Sequence, residues 1–202
     1  MNNYLFVVWS PKSGVGKDTV AELIQKHLSA TLQKFARPFK ASFETWLGIP
    51  EFSLDDYYFK QSRVKNPVTG ELEDFTYGDL CYNAFHVWKQ IYPSGSYLTA
   101  GYVMKQILEQ DTNVILTDVR KHSEIEVIKR VLHKFTPVLI HVKGDRGQQL
   151  ETDKDITLKD FDFIPNKFSI NNSKETSLLE LENQVLSVLI NLLTKHQKYL
   201  VD

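Results

Sequence analysis

A short run of small and charged side chains near the start of the chain has the clearest potential for chemistry. The segment from Ser10 to Thr19 reads SPKSGVGKDT, with two glycines and a lysine directly after the second. Glycine lets successive backbone N–H groups turn toward one centre, and the ammonium group adds positive charge there. Such a loop would bind the phosphates of a nucleotide, with Lys17 reaching the β- and γ-phosphates.

The segments on either side of this loop are those that a phosphate-binding loop requires. Residues 4–9 are apolar and mostly β-branched or aromatic, which predicts a buried parallel strand. Val20, Leu23 and Ile24 follow at helical spacing, so the N-terminal dipole of a helix would point at the same phosphates. The alternative is a glycine-containing turn that only connects strand and helix.

Two positions depart from the usual GxxxxGK[ST] pattern of a P-loop. Pro11 replaces the first glycine, which removes one amide donor and fixes φ. Asp18 replaces the usual serine or threonine, and its carboxylate could ligate Mg²⁺ directly or through water. The predicted ATP-binding residues of the loop are Ser13, Gly14, Val15, Gly16, Lys17, Asp18 and Thr19.

Strands and helices are predicted to alternate along the rest of the chain. Further strands are predicted at about 32–36, 114–118, 138–142 and 168–170, and helices at about 38–47, 75–91, 97–109, 124–133 and 178–193. Residues 49–74 are polar and aromatic, which predicts an irregular insertion with at most short helices. This alternation indicates an α/β protein with a parallel sheet covered on both faces.

Composition excludes several functional classes. The 202 residues include 24 Lys+Arg and 25 Asp+Glu, a balance that excludes a broadly basic protein wrapped by polymeric nucleic acid. Cys81 is the single cysteine, which excludes an intrachain disulfide and a multi-cysteine zinc site. No segment approaches about 18 consecutive apolar residues and no targeting signal precedes the first strand, so we expect a single-domain cytoplasmic protein without a membrane partner.

Five stretches, in order along the chain, resemble the phage-type deoxynucleoside monophosphate kinases, a branch of the P-loop NMP kinases. GKDTVA at 16–21 resembles their P-loop, and FARPFK at 35–40 resembles their step into the NMP-binding region. The others are LTDVR at 116–120 followed by Glu124, VLIHVK at 138–143, and FSINN at 168–172 followed by LEL at 179–181.

This resemblance implies a three-layer P-loop kinase with a parallel core sheet, an NMP-binding insertion and a lid. The core would comprise about 1–36, 111–142 and 166–202, the insertion about 37–110 and the lid about 143–165. The implied activity is transfer of the γ-phosphoryl group of ATP, with Mg²⁺, to a deoxynucleoside monophosphate (dNMP). The implied setting is the host cytoplasm if the protein is phage-encoded, as a monomer or homodimer.

Asp118 and Arg120 follow a predicted buried strand, at the edge where open α/β sheets bind ligands. Asp118 is expected to hold water on Mg²⁺ or contact the substrate; its alternative role is to cap a helix or turn. Arg120 is expected to contact phosphate or nucleotide, with a surface ion pair as its alternative. Both are therefore candidate catalytic and substrate-binding residues.

The resemblance also implies an acceptor site and a basic lid. Arg37, Lys40 and Arg63 would bind the acceptor monophosphate, and ordinary solvated charge is their alternative. Lys143 and Arg146 would lie in a lid that neutralises the transferring group, with a polar surface loop as the alternative. Asn171 would contact the ATP base, unless it only caps a turn.

One substrate-binding arginine of the family is missing. The segment TYGDL at 76–80 resembles a helix start that carries this arginine, and Gly78 stands in its place. The acceptor could therefore be a different phosphorylated molecule, such as dephospho-coenzyme A or phosphomevalonate. Together with Pro11 and Asp18, the substitution also leaves open a nucleotide-binding module that does not turn over.

Replacing Lys17 by alanine tests the loop assignment. We expect Lys17→Ala to lower turnover at least about a hundredfold, because the ammonium group stabilises charge on the transferring phosphoryl group. Lys26→Ala, on the solvent side of the same predicted helix, is the control and should remain active. Phosphoryl transfer measured as ADP release gives the answer, and near wild-type activity in Lys17→Ala would refute the P-loop assignment.

Overall fold

A computed structural model describes residues 3–66, 68–91, 95–146 and 156–198. Its strands, in chain order, are β1 Asn3–Trp9, β2 Ala30–Gln33, β3 Arg63–Lys65, β4 Leu72–Thr76, β5 Asn113–Leu116, β6 Phe135–Lys143 and β7 Asn166–Asn171. Its α-helices are α1 Lys17–His27, α2 Arg37–Leu47, α3 Tyr57–Gln61, α4 Tyr77–Ile91, α5 Gly95–Leu108, α6 His122–Val131 and α7 Leu178–Lys198. Short 3₁₀ turns lie at Ser53–Asp55 and Leu158–Phe161.

Strand β1 is the centre of a five-stranded parallel sheet with the order β2-β5-β1-β6-β7. Leu5, Phe6, Val7 and Val8 are fully buried, since a central strand covered on both faces can carry apolar residues without alternation. Tyr4, Phe6 and Val8 belong to the hydrophobic cluster that also contains the buried faces of α1 and α7. The predicted α/β class is confirmed.

The strand order fixes where a ligand can bind. From β1, the chain goes first to β2 and β5 on one side and later to β6 and β7 on the other. The loops that leave β1 and β5 therefore diverge at the carboxyl edge of the sheet and leave a crevice between them. The segments 10–16 and 117–121 both lie at this edge.

Two predicted strands end earlier than expected. Strand β5 ends at Leu116 rather than 118, and its last pair joins Leu116 to Gln33 of β2. Beyond this pair β2 has no strand neighbour to continue with, so it covers Ala30–Gln33 instead of 32–36. By contrast, α2 begins with Pro38 in its first turn and ends before Gly48, as predicted.

The prediction of at most short helices at 49–74 missed a β-hairpin. Strands β3 and β4 pair antiparallel, with Arg63 opposite Thr76 and Lys65 opposite Leu72. Five of the eight side chains in the two strands are exposed, and the sequence of β4 lacks the regular alternation that marks a half-buried strand. Side-chain hydrogen bonds from Val68 N and Thr69 N to Asn66 Oδ1 shape the turn instead.

The chain divides into two compact units. The core unit comprises residues 1–34 and 104–202 and contains the five-stranded sheet. The insertion unit comprises residues 35–103 and contains α2, α3, α4 and the hairpin. Within the described ranges, every helix is too short or too polar to cross a membrane.

Candidate active site

The loop between β1 and α1 has the backbone shape expected of a phosphate-binding loop. Gly14 and Gly16 have φ angles of +73° and +91°, a region that side chains with a Cβ rarely adopt. Gly16 is also the N-cap of α1, and its carbonyl accepts the first helical hydrogen bond from Val20 N at 3.0 Å. The two glycines therefore allow the chain to turn sharply from the strand into the helix.

Lys17 folds back over the loop. Its Nζ donates a hydrogen bond to the carbonyl of Lys12 at 2.8 Å. Burial, reinforced by the positive charge of Arg120, lowers the Lys17 pKa to about 8, although the charges of Asp18 and Asp118 act in the opposite direction. A bound phosphate would favour the charged form of Lys17, so the loop is suited to binding an anion.

A cleft above the loop brings Lys17 and Arg120 together. It is lined by Trp9, Ser10, Pro11, Lys12, Ser13, Lys17, Thr117, Val119, Arg120 and Ile156. The first residues come from the end of β1 and the loop, and three come from the segment after β5, as the sheet topology requires. Asp118 lies in that second segment, and its charge acts on both Lys17 and Glu124.

The two predicted magnesium ligands, Asp18 and Asp118, each offer one carboxylate group. Asp18 Oδ1 accepts a hydrogen bond from Thr117 Oγ1 at 3.0 Å and lies 3.2 Å from Lys34 Nζ, and the Asp18 side chain is 63% exposed. Across the described residues, no three His, Cys, Asp or Glu side chains cluster as a protein-only metal site. Carboxylate oxygens suit Mg²⁺, which usually retains waters and binds phosphate oxygens as well, so Asp18 and Asp118 fit a nucleotide-bound ion.

Glu124 holds the backbone of Arg120. Its Oε2 accepts hydrogen bonds from Arg120 N at 2.5 Å and from Lys121 N at 2.9 Å, at the start of α6. Burial, together with the charge of Asp118, raises the Glu124 pKa to about 8. The resemblance named this glutamate without a role, and its hydrogen bonds show that it shapes the segment carrying Arg120.

Asn172 is a residue of the site to which the sequence assigned no role. It is 4% exposed, and its Nδ2 donates to the carbonyl of Val15 inside the loop at 2.8 Å. A second hydrogen bond joins the loop to this edge of the sheet, since Lys12 Nζ donates to the carbonyl of Gly144 at 3.0 Å. The FSINN stretch at 168–172 contains both asparagines, so the sequence resemblance draws attention to Asn172 as well as to Asn171.

Three more residues that the sequence predicts to contact ATP lie near the ends of β6 and β7. They are Lys143, Arg146 and Asn171. Lys143 is exposed at the end of β6. Arg146 donates to the carbonyls of Ser173, Lys174 and Thr176 at 2.7–3.1 Å. The predicted lid at 143–165 falls partly outside the described residues, since 147–155 are not described.

Asn171 lies beside a polar groove at the end of β7. Its backbone N–H and carbonyl bond to the side-chain amide of Gln184 at 2.8 and 2.9 Å. The groove is lined by Asn171, Ser173, Glu175, Thr176, Glu180, Asn183 and Gln184. Arg146 bonds to the same 173–176 segment, so the structure associates these two predicted residues with one loop.

Arg37, within the insertion unit, is surrounded by carboxylates. Its guanidinium lies 2.8 Å from Glu44, which is 2% exposed, and 3.4 Å from both Glu51 and Asp55. It also stacks 4.0 Å from the ring centre of Phe52. In this structure Arg37 therefore holds the segment after α2 against the helix.

The two other predicted acceptor residues also have acidic partners. Lys40 Nζ lies 2.5 Å from Asp55, and Arg63 lies 2.7 Å from Asp74 while donating to the carbonyls of Leu72 and Glu73. At Gly78, a Cβ would lie 3.1 Å from the carbonyl of Lys60. A side chain at this position would therefore lie in close contact with the last turn of α3.

Comparison with solved structures identifies the fold. A gluconokinase from Sinorhizobium meliloti 1021 aligns over 97% of this chain and 97% of its own, with 14% identity and a TM-score of 0.51. The chain shares the fold of this kinase. A shikimate kinase from Bacteroides thetaiotaomicron aligns over 94% of this chain and 98% of its own, with 9% identity and a TM-score of 0.49.

Comparisons of sequence add no family. No protein-family model matches the chain, and no curated protein matches it either. At 14% identity, the similarity to the gluconokinase establishes the fold and leaves the substrate open. The acceptor must therefore be argued from this chain's own residues.

The contacts of Glu44 give a prediction about stability. Its hydrogen bonds with Arg37, Leu54 N and Phe52 N lower the Glu44 pKa in the folded state despite burial. The resulting stabilisation is present above the pKa of the unfolded chain and is lost as the pH falls through the folded pKa. Glu44→Gln should thus lower the unfolding free energy by about 2 kcal/mol at pH 7 and by less near pH 3.

Denaturant titration at the two pH values measures this difference. Glu51→Gln is the matched control, because Glu51 meets the same guanidinium but is 72% exposed, and we expect it to cost less than about 0.5 kcal/mol. Equal losses in the two variants, or a loss in Glu44→Gln that does not change with pH, would contradict this account of Arg37.

Proposed function

We propose that the protein transfers the γ-phosphoryl group of Mg·ATP to a small acceptor, and that the acceptor is a deoxynucleoside monophosphate. The observation that carries the proposal is the cleft in which Lys17 and Arg120 lie together above a glycine-shaped loop. The resemblance of five ordered stretches to the phage-type kinases supports the choice of acceptor.

The arrangement suits a reaction that depends on positioning and on charge. Phosphoryl transfer needs the two nucleotides in line and cations around the moving group, with little covalent participation by protein. Lys17 and Arg120 would stabilise the developing negative charge, and Asp18 and Asp118 would hold Mg²⁺, which neutralises phosphate oxygens when bound. An acceptor phosphate is already ionised at neutral pH, so no strong general base is needed.

Asn171 is proposed to contact the base of ATP, and Arg146 to neutralise charge on the transferring phosphoryl group. Both are associated with the loop after β7, in the same unit as the P-loop. Arg146 already donates to three carbonyls there, so it would shape this loop as well as contact the nucleotide. Lys143 would add positive charge from the end of β6.

A second candidate follows from the charges of the insertion unit. Around Arg37 and Lys40, the three carboxylates of Glu44, Glu51 and Asp55 outnumber the two cations. A phosphate could bind these cations only by displacing carboxylates, at a cost in lost ion pairs. This observation favours an acceptor whose reactive hydroxyl is recognised without a phosphate.

An acceptor screen tests the proposal. ADP release from Mg·ATP would be measured with each dNMP, each ribonucleoside monophosphate, dephospho-coenzyme A, phosphomevalonate and the unphosphorylated deoxynucleosides. Turnover with one or more dNMPs, lost in Lys17→Ala, is the expected result. Turnover only with acceptors that lack phosphate would support the second candidate, whereas ATP binding without any turnover would indicate a non-catalytic nucleotide-binding module.

A further inference from the structure

Asn172 is fixed on the sheet and reaches into the loop. Its backbone N–H donates to the carbonyl of Lys143 at 2.7 Å, so the residue is tied to the end of β6 just after β7. From there the buried side chain donates through Nδ2 to the carbonyl of Val15 at 2.8 Å. The carboxyl edge of the sheet thus holds one peptide group of the loop through Asn172.

The Asn172 side chain lies so close to the loop that position 16, directly after Val15, must be a glycine. A Cβ on Gly16 would lie 2.2 Å from Asn172 Nδ2, well inside the contact distance of the two atoms. Gly16 is therefore needed for two separate reasons, its φ of +91° and the room that it leaves for the Asn172 amide.

The hydrogen bond to the Val15 carbonyl also sets the direction of an N–H group. The Val15–Gly16 peptide is planar and trans, so its C=O and N–H point in opposite directions. Because the Val15 carbonyl is held toward Asn172, the Gly16 N–H must point away from Asn172. Gly16 directly precedes Lys17, and its N–H is one of the donors that a P-loop offers to phosphate.

We propose that Asn172 is a positioning residue of the P-loop, which orients the Gly16 N–H toward nucleotide phosphate through its hydrogen bond to the Val15 carbonyl. This inference rests on the proposed function, since it assumes that the loop binds ATP. Without the bond, the loop would occupy its binding shape for only part of the time, and the apparent affinity would fall by that fraction.

Asn172→Leu tests the role, because leucine has the same number and branching of side-chain heavy atoms and adds no charge but cannot donate a hydrogen bond. Asn166→Leu is the matched control: Asn166 lies at the other end of β7 and donates its Nδ2 to the carbonyl of Pro137 at 3.4 Å. Calorimetry would measure the Kd of Mg·ATP and of tripolyphosphate, which lacks a base. Thermal unfolding without ligand would report the stability of each variant.

The expected result is a Kd about fivefold higher in Asn172→Leu for both ligands, with no change in Asn166→Leu. Asn172→Ser keeps a polar side chain that is too short to reach Val15, and it should show the same loss of affinity. It replaces the leucine variant in the Kd measurement if that variant does not fold. A purely structural role would lower the melting temperature of the variants and leave the Kd of the folded protein unchanged.

The outcomes separate the two proposals. Wild-type affinity for both ligands in the folded Asn172 variants would overturn the positioning role and leave the proposed function intact. If the wild-type protein binds neither ligand, the proposed function fails and the positioning role fails with it. A loss for Mg·ATP without a loss for tripolyphosphate would also overturn the proposal, because the effect would then lie at the base.

Discussion

The structure of the core unit depends on one constraint: a tight loop can turn its N–H groups toward an anion only if its carbonyls find partners elsewhere. The structure meets this constraint at three carbonyls. Lys12 C=O accepts from Lys17 Nζ, Val15 C=O accepts from Asn172 Nδ2, and Gly16 C=O accepts from Val20 N. Two of the partners come from the first turn of α1 and the third from the residue after β7, so the loop shape depends on the surrounding fold.

Charge is concentrated at the same edge of the sheet. The positive charge of Arg120 helps burial to lower the pKa of Lys17, and the negative charge of Asp118 helps burial to raise the pKa of Glu124. Holding like charges together without a ligand costs free energy. A nucleoside triphosphate with its metal ion would relieve the repulsion between the two cations. The insertion unit differs, because there the cations Arg37 and Lys40 already have carboxylate partners.

The residues that could be predicted are those whose type and local spacing fix their place. The strand, glycine loop and helix at 4–28 were predicted because β1 is an apolar run and Gly16-Lys17 sits between two regular elements. The hairpin β3–β4 was missed because β3 has only three residues and β4 shows no regular alternation of apolar and polar side chains. Asn172 and Glu44 could not be given roles, since each acts through a partner that only tertiary structure brings near, Val15 for the first and the 52–54 backbone for the second.

The central claim is that the loop between β1 and α1 binds the phosphates of ATP. A crystal structure with Mg²⁺ and a non-hydrolysable ATP analogue tests it most directly. The account predicts phosphate oxygens within hydrogen-bond distance of Gly16 N and Lys17 Nζ, with Lys17 Nζ released from the carbonyl of Lys12. An analogue bound away from this loop, or phosphates in the cleft with Lys17 Nζ still on the Lys12 carbonyl, would contradict the account.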